Sequence, residues 1–159
     1  MSLHMNKVLT VPLALAALAL PIAVWATDDT ANAPDPLAGM IVASSDVSLE
    51  DFQWLKRPVV VFADTAADPR YVQQMQLLTR ELDQLEERDV IVITDTDPAA
   101  ANALRTKLRP RGFMLALIGK DGQVKLRKPL PWSVRELTRT IDKMPTRQQE
   151  VRDRRASGL

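Results

Sequence analysis

Pro58-Val59-Val60-Val61-Phe62-Ala63 is an unbroken run of apolar, mostly β-branched residues, the pattern of a strand buried on both faces. Such a strand belongs at the centre of a sheet. Asp68 and Pro69 follow, a capping residue and a proline suited to a first helical turn, and Tyr71, Met75, Leu78, Leu82 and Leu85 then share one helical face. This spacing predicts one long amphipathic helix. Val90-Ile91-Val92-Ile93-Thr94 is a second run of buried-strand type, so strand, helix and strand form a parallel crossover and the chain is α/β.

Beyond that unit, Asp97 before Pro98 announces a helix through Leu104 and Leu108, which stops at Arg109-Pro110. Phe113 to Ile118 is a third apolar strand. The turn Gly119-Lys120-Asp121-Gly122 returns it as a hairpin into Gln123-Val124-Lys125-Leu126-Arg127, whose polar-apolar alternation fits a half-exposed strand near an edge. Ser133 with Glu136 makes a capping box for a last helix carrying Val134, Leu137 and Ile141, ended by Met144-Pro145. The charged tail, residues 146–159, reads as frayed from Arg152.

On the N-terminal side, Met40 to Ala43 fits a short edge strand. Ser48 caps a helical turn that lays Leu49, Phe52 and Leu55 over the core, with Trp54 beside them. Residues 27–36 are a solvated linker, and the domain runs over residues 37–145. Residues 1–26 read as a secretory signal peptide: Lys7 precedes the apolar run Val8 to Trp25, and Val24-Trp25-Ala26 suits a signal peptidase. Residues 1–4 have the look of a cloning remnant ahead of Met5. An uncleaved anchor would need about 20 apolar residues, and Pro12 and Pro21 argue against one. The expected location is periplasmic or secreted, with the membrane touched only if the leader is retained.

Composition removes whole classes of function. Lys and Arg total 21 against 20 Asp and Glu, so no bulk field draws in nucleic acid. The one histidine, His4, lies in the leader and there is no cysteine, so a His/Cys metal centre and a nucleophilic thiol are both out of reach. Neither a phosphate-binding glycine loop nor a Ser-His-Asp set is present. No cofactor and no metal are expected, and Asp95 with Asp97 is too sparse for a calcium loop.

Trp54 to Ala63, Leu117 to Lys125 and Ile141 to Gln148, in that order, resemble the bacterial family called domain of unknown function 4174 over roughly Leu49 to Glu150. The resemblance implies kinship with the C-terminal domains of sushi-repeat-containing extracellular proteins. It also implies a thioredoxin-like fold: a mixed sheet of four to five strands with core order 4-3-1-2, strand 3 antiparallel, and helices on both faces. In that fold the end of strand 1 lies beside the start of strand 3, where thiol enzymes keep Cys-x-x-Cys. This chain has Asp64-Thr65-Ala66-Ala67-Asp68 there instead, so thiol-disulfide and peroxidase activity are not expected.

Helix N-termini and the carboxyl ends of strands are the default ligand sites of α/β sheets, which marks Asp64, Thr65, Asp68, Arg70 and Arg111 as the candidate site. Two accounts fit these residues. Thr65, Arg70 and Arg111 suit an oxyanion held at the helix start. Alternatively, Asp68 merely caps the helix while Asp64 pairs with Arg111 or Arg70 at the surface. The expected function is a binding module of the cell envelope whose partner is another envelope protein. The alternative is an enzyme using the polar groups of this corner, which requires a carboxyl with a raised pKa.

Overall fold

The computed structural model describes residues 39–158. The signal peptide, the linker and the start of the domain at residue 37 lie outside the described residues. Five strands form one sheet: β1 (Ile41–Ala43), β2 (Arg57–Phe62), β3 (Val90–Asp95), β4 (Met114–Ile118) and β5 (Val124–Lys128). Their spatial order is β1-β3-β2-β4-β5. β1 and β2 both run parallel to β3, and β4 is antiparallel to β2 and to β5. Leaving aside the edge strand β1, this is the expected 4-3-1-2 arrangement with its third strand reversed.

The central position of β2 follows from its sequence. All six of its residues are buried, and period-two alternation sends successive side chains to opposite faces. Val59 and Val61 join Val92, Leu115 and Leu117 in one core, covered by Leu78, Leu85, Leu137 and Ile141. Val60 and Phe62 join Ile93, Ala116 and Ile118 in a second core, covered by Leu49, Leu104 and Leu108. Helices α1 (Pro69–Thr79), α2 (Leu82–Glu86) and α4 (Val134–Asp142) therefore supply one face, and α3 (Ala103–Leu108) supplies the other. The β4–β5 turn depends on Gly122, whose φ of +75° is left-handed and whose N–H donates to Gly119 O at 2.9 Å.

The long helix expected over Tyr71 to Leu85 is broken. The hydroxyl of Thr79 donates back to the carbonyls of Met75 (2.9 Å) and Gln76 (3.4 Å), a bond that bends helices, and Glu81 leaves helical geometry at φ −133°. The hydrophobic spacing survives because Leu78 and Leu85 fall on the same core from two short helices. The helix expected from Asp97 is also split. Asp97 accepts from Ala99 N (3.0 Å) to cap a 3-10 turn, Pro98–Ala100; Ala101 turns left-handed, and Asn102 then caps α3 by accepting from Arg105 N at 2.9 Å.

Two further expectations are corrected. Leu49 is buried and Phe52 half-buried, but Trp54 and Leu55 are each 65% exposed, so the lid is smaller than the spacing implied. The tail is not frayed at Arg152: Pro145 opens helix α5 (Pro145–Ala156), which Arg147 and Glu150 tie down with charges. Among the described residues no helix is long and apolar enough to cross a membrane.

Trp132, half-buried, packs against the first core. Its main chain is clamped by Gln74, a fully buried side chain of α1: Gln74 Nε2 donates to Trp132 O at 2.9 Å, and Trp132 N donates to Gln74 Oε1 at 2.8 Å. Gln74→Leu keeps the bulk but orphans both main-chain groups. It is expected to destabilise the domain by about 1–3 kcal/mol, read as a lower urea midpoint with an unchanged slope.

Candidate functional site

The corner after β2 is made by a short loop that feeds straight into α1, and its polar groups mostly bind each other. Thr65 Oγ1 accepts from Ala67 N at 3.0 Å, and Thr65 O accepts from Asp68 N at 3.2 Å. Asp68 caps α1 by accepting from Arg70 N at 2.8 Å. The same carboxylate takes two side-chain bonds from Arg70, Nε to Oδ1 at 3.2 Å and Nη2 to Oδ2 at 2.8 Å. The Arg70 guanidinium lies over the Phe113 ring, 5.6 Å from its centroid. Asp64 and Arg70 meet at Gly112, where an added Cβ would sit 3.7 Å from Asp64 Oδ2 and 3.9 Å from Arg70 Nη2.

The structure thus brings Asp64, Asp68 and Arg70 together and turns Thr65 onto its own loop. The ion pair expected on Asp64 falls on Asp68, because the helix start holds the Asp68 and Arg70 side chains in register for a two-point contact. Arg111 does not pair with Asp64; it lines a separate hollow. Hydrogen bonds from the Arg70 side chain and then its backbone hold the Asp68 carboxyl below the ordinary carboxylate range, and the bond to Asp68 raises Arg70 in turn. Phe113 is buried and Tyr71 half-buried against the core, so the floor of the corner is packed.

One polar cluster escaped the sequence reading. Asp95, at the end of β3, has a side chain 1% exposed. It accepts from Arg105 Nε at 2.7 Å, from Asn102 Nδ2 at 2.6 Å and from Ser44 Oγ at 2.9 Å. Arg105 continues to Ala63 O at 2.7 Å, tying the ends of β2 and β3, and its guanidinium stands 5.5 Å from the Phe62 ring centroid. Asp95 and Asp97 do not converge as paired ligands: Asp97 caps a turn, and Asp95 is saturated by a cation and donors of its own chain. The only sequence signal was Asn102 placed before Arg105, a cap that sets the arginine one helical turn into α3.

The hollow that takes Arg111 encloses about 270 Å³ beside the β4–β5 edge and is lined by Arg109, Arg111, Phe113, Met114, Arg127, Lys128 and Pro129. It has no carboxylate of its own: every charged residue in its lining is a cation.

Solved structures share this architecture. The reduced 2-Cys peroxiredoxin of Plasmodium vivax superposes with a TM-score of 0.54 at 15% identity, over 65% of this chain and 85% of that one. Thioredoxin peroxidase I of Plasmodium yoelii gives a TM-score of 0.51 at 20% identity, over 65% and 80%. At such identities the likeness is one of fold, which is thioredoxin-like. A family model matches residues 48–150, from the cap of the first turn to the glutamate that ties down α5. By that match the chain belongs to the family described as Domain of unknown function (DUF4174).

Proposed function

We propose that this protein is an exported, non-redox binding module of the cell envelope, in which a thioredoxin-like frame is kept for its surface. The observation that carries this reading is the absence of cysteine from all 159 residues, in a fold whose thiol enzymes react through sulfur at the very corner held here by Asp64, Thr65 and Asp68. The leader, Lys7 followed by Val8 to Trp25, supports export. An acid–base enzyme at the corner would need a carboxyl that titrates near neutrality, and Asp68, bound at two points by Arg70, is not that group.

The test pairs two measurements on purified exported protein. Its mass is expected to correspond to a chain starting near Thr27, and neither a hydroperoxide nor a dithiol-disulfide substrate is expected to turn over above the uncatalysed rate. Turnover that withstands repurification would end the non-redox reading, and a retained leader would end the reading of a released domain. Affinity capture from envelope extract, followed by mass spectrometry, then identifies the partner.

A further inference from the structure

Arg109, Arg111, Arg127 and Lys128 share one hollow, and among the described residues none of the four has a carboxylate within 4.0 Å. Arg109, Arg111 and Arg127 are exposed and Lys128 is half-buried; what sets them apart is that all four line one hollow that contains no carboxylate. In a chain of net charge +1, four cations around one hollow make a local positive field that an anion seated among them would neutralise.

Two of the four are held in place. Arg127 Nη1 donates to Leu108 O at 2.6 Å, which fixes one edge of its guanidinium and leaves other N–H groups free. The Lys128 ammonium sits 4.3 Å from the centroid of the Trp132 ring, itself anchored on the core. Arg109 ends α3 with a φ of +49°, a left-handed conformation that glycine or asparagine adopts more readily. Phe113, Met114 and Pro129 supply an apolar wall, which lowers the local dielectric and strengthens attraction for an incoming anion.

From this geometry we infer that the hollow binds a phosphate-bearing dianion or polyanion, a phosphomonoester or diphosphate group. Three guanidiniums match the oxygen edges of phosphate by paired N–H bonds, and a single carboxylate would leave most of the charge unmatched. The volume suits a headgroup better than a whole drug-sized ligand. This assignment rests on the binding-module reading and names the ligand class for it.

Inorganic pyrophosphate titrated into the full protein is expected to shift the amide resonances of Arg111, Phe113 and Met114 along a saturable curve. Arg109→Gln with Arg111→Gln should weaken that binding about tenfold or more per guanidinium removed, whereas Lys107→Gln, at an exposed cation paired with Glu50 away from the hollow, leaves it unchanged. Both variants alter exposed side chains, and thermal melting verifies that they fold. A second arm uses vesicles: retention on phosphatidic acid but not on phosphatidylserine at equal charge assigns the phosphate to a lipid headgroup, and saturation by pyrophosphate without retention assigns a soluble ligand. A linear, non-saturating response, an equal response in the double variant, or equal retention on both vesicles overturns the site. A null titration with no peroxide turnover removes the ligand class alone; turnover removes the module reading alone.

Discussion

Replacing Asp95 with alanine is expected to lower the unfolding free energy by about 3–5 kcal/mol, the usual cost of breaking a buried ion pair from one side. The change strands the Arg105 guanidinium at the ends of β2 and β3, and it removes the acceptor shared by Asn102 and Ser44. Since a domain is stable by only about 5–15 kcal/mol, the loss is a large part of the total. Urea unfolding at neutral pH measures it, and a change under about 1 kcal/mol would mean that Arg105 finds water as readily as it finds Asp95. Burial pushes the Asp95 carboxyl up, but bonds from Asn102, Arg105 and Ser44 outweigh it and hold the group below its ordinary value. A folded-state pKa below the unfolded value of about 3.9 contributes stability that is present above that value and is lost as pH falls through the folded pKa. The native protein should therefore lose stability on acidification below about pH 4, and Asp95→Asn should lack that component of the slope.

The second large effect is expected at Arg57. This guanidinium is wholly buried at the start of β2, where Nη1 donates to Arg88 O (2.8 Å) and Nη2 donates to Glu150 Oε1 on α5 (2.7 Å). Lys120 reaches the same Glu150 oxygen at 3.0 Å and Asp89 at 2.8 Å. Arg57→Met keeps an unbranched apolar stem, removes the charge that α5 docks against and should cost about 3–5 kcal/mol. Hydrogen exchange in α5 should accelerate ahead of exchange in β2 and β3, because α5 buries no apolar side chain of its own and is held through Arg147 and Glu150. The double variant Arg57→Met with Glu150→Leu should recover part of the loss, since neither member of the pair is left facing a missing partner, while Lys120 keeps Asp89 and Arg147 keeps Glu87. Strictly additive losses would show that the two side chains do not act on each other.

Both predictions concern residues for which the sequence names no partner: Asp95 reads with Asp97 as a sparse carboxylate pair, and Arg57 as the end of a strand. Val59 to Phe62 and Val90 to Ile93 announced central strands by composition alone, because a strand covered on both faces has no polar positions to spare. Asp95 and Arg57 sit at the two ends of those runs, and a charge at a strand end reads as a boundary with solvent. Only the packing of α3 over one end and α5 over the other buries them. The candidate corner was legible as a place, through Asp68-Pro69 and the missing sulfur, but not as a set of partners. Arg70 took Asp68 because a cap and the residue two positions on lie within one helical turn, and Arg111 was carried away on the entry to β4.

Local periodicity and residue type were enough to read the order of the strands along the chain, the crossover, the central strand and the want of a thiol. Where the helices break, how the C-terminal segment docks, which charges pair, and the meeting of Arg109, Arg111, Arg127 and Lys128 at one hollow came only with the packed fold. Those outcomes depend on distances between segments remote in the chain, which a hydrophobic pattern does not encode: burial is written residue by residue, whereas pairing is settled only when two surfaces meet.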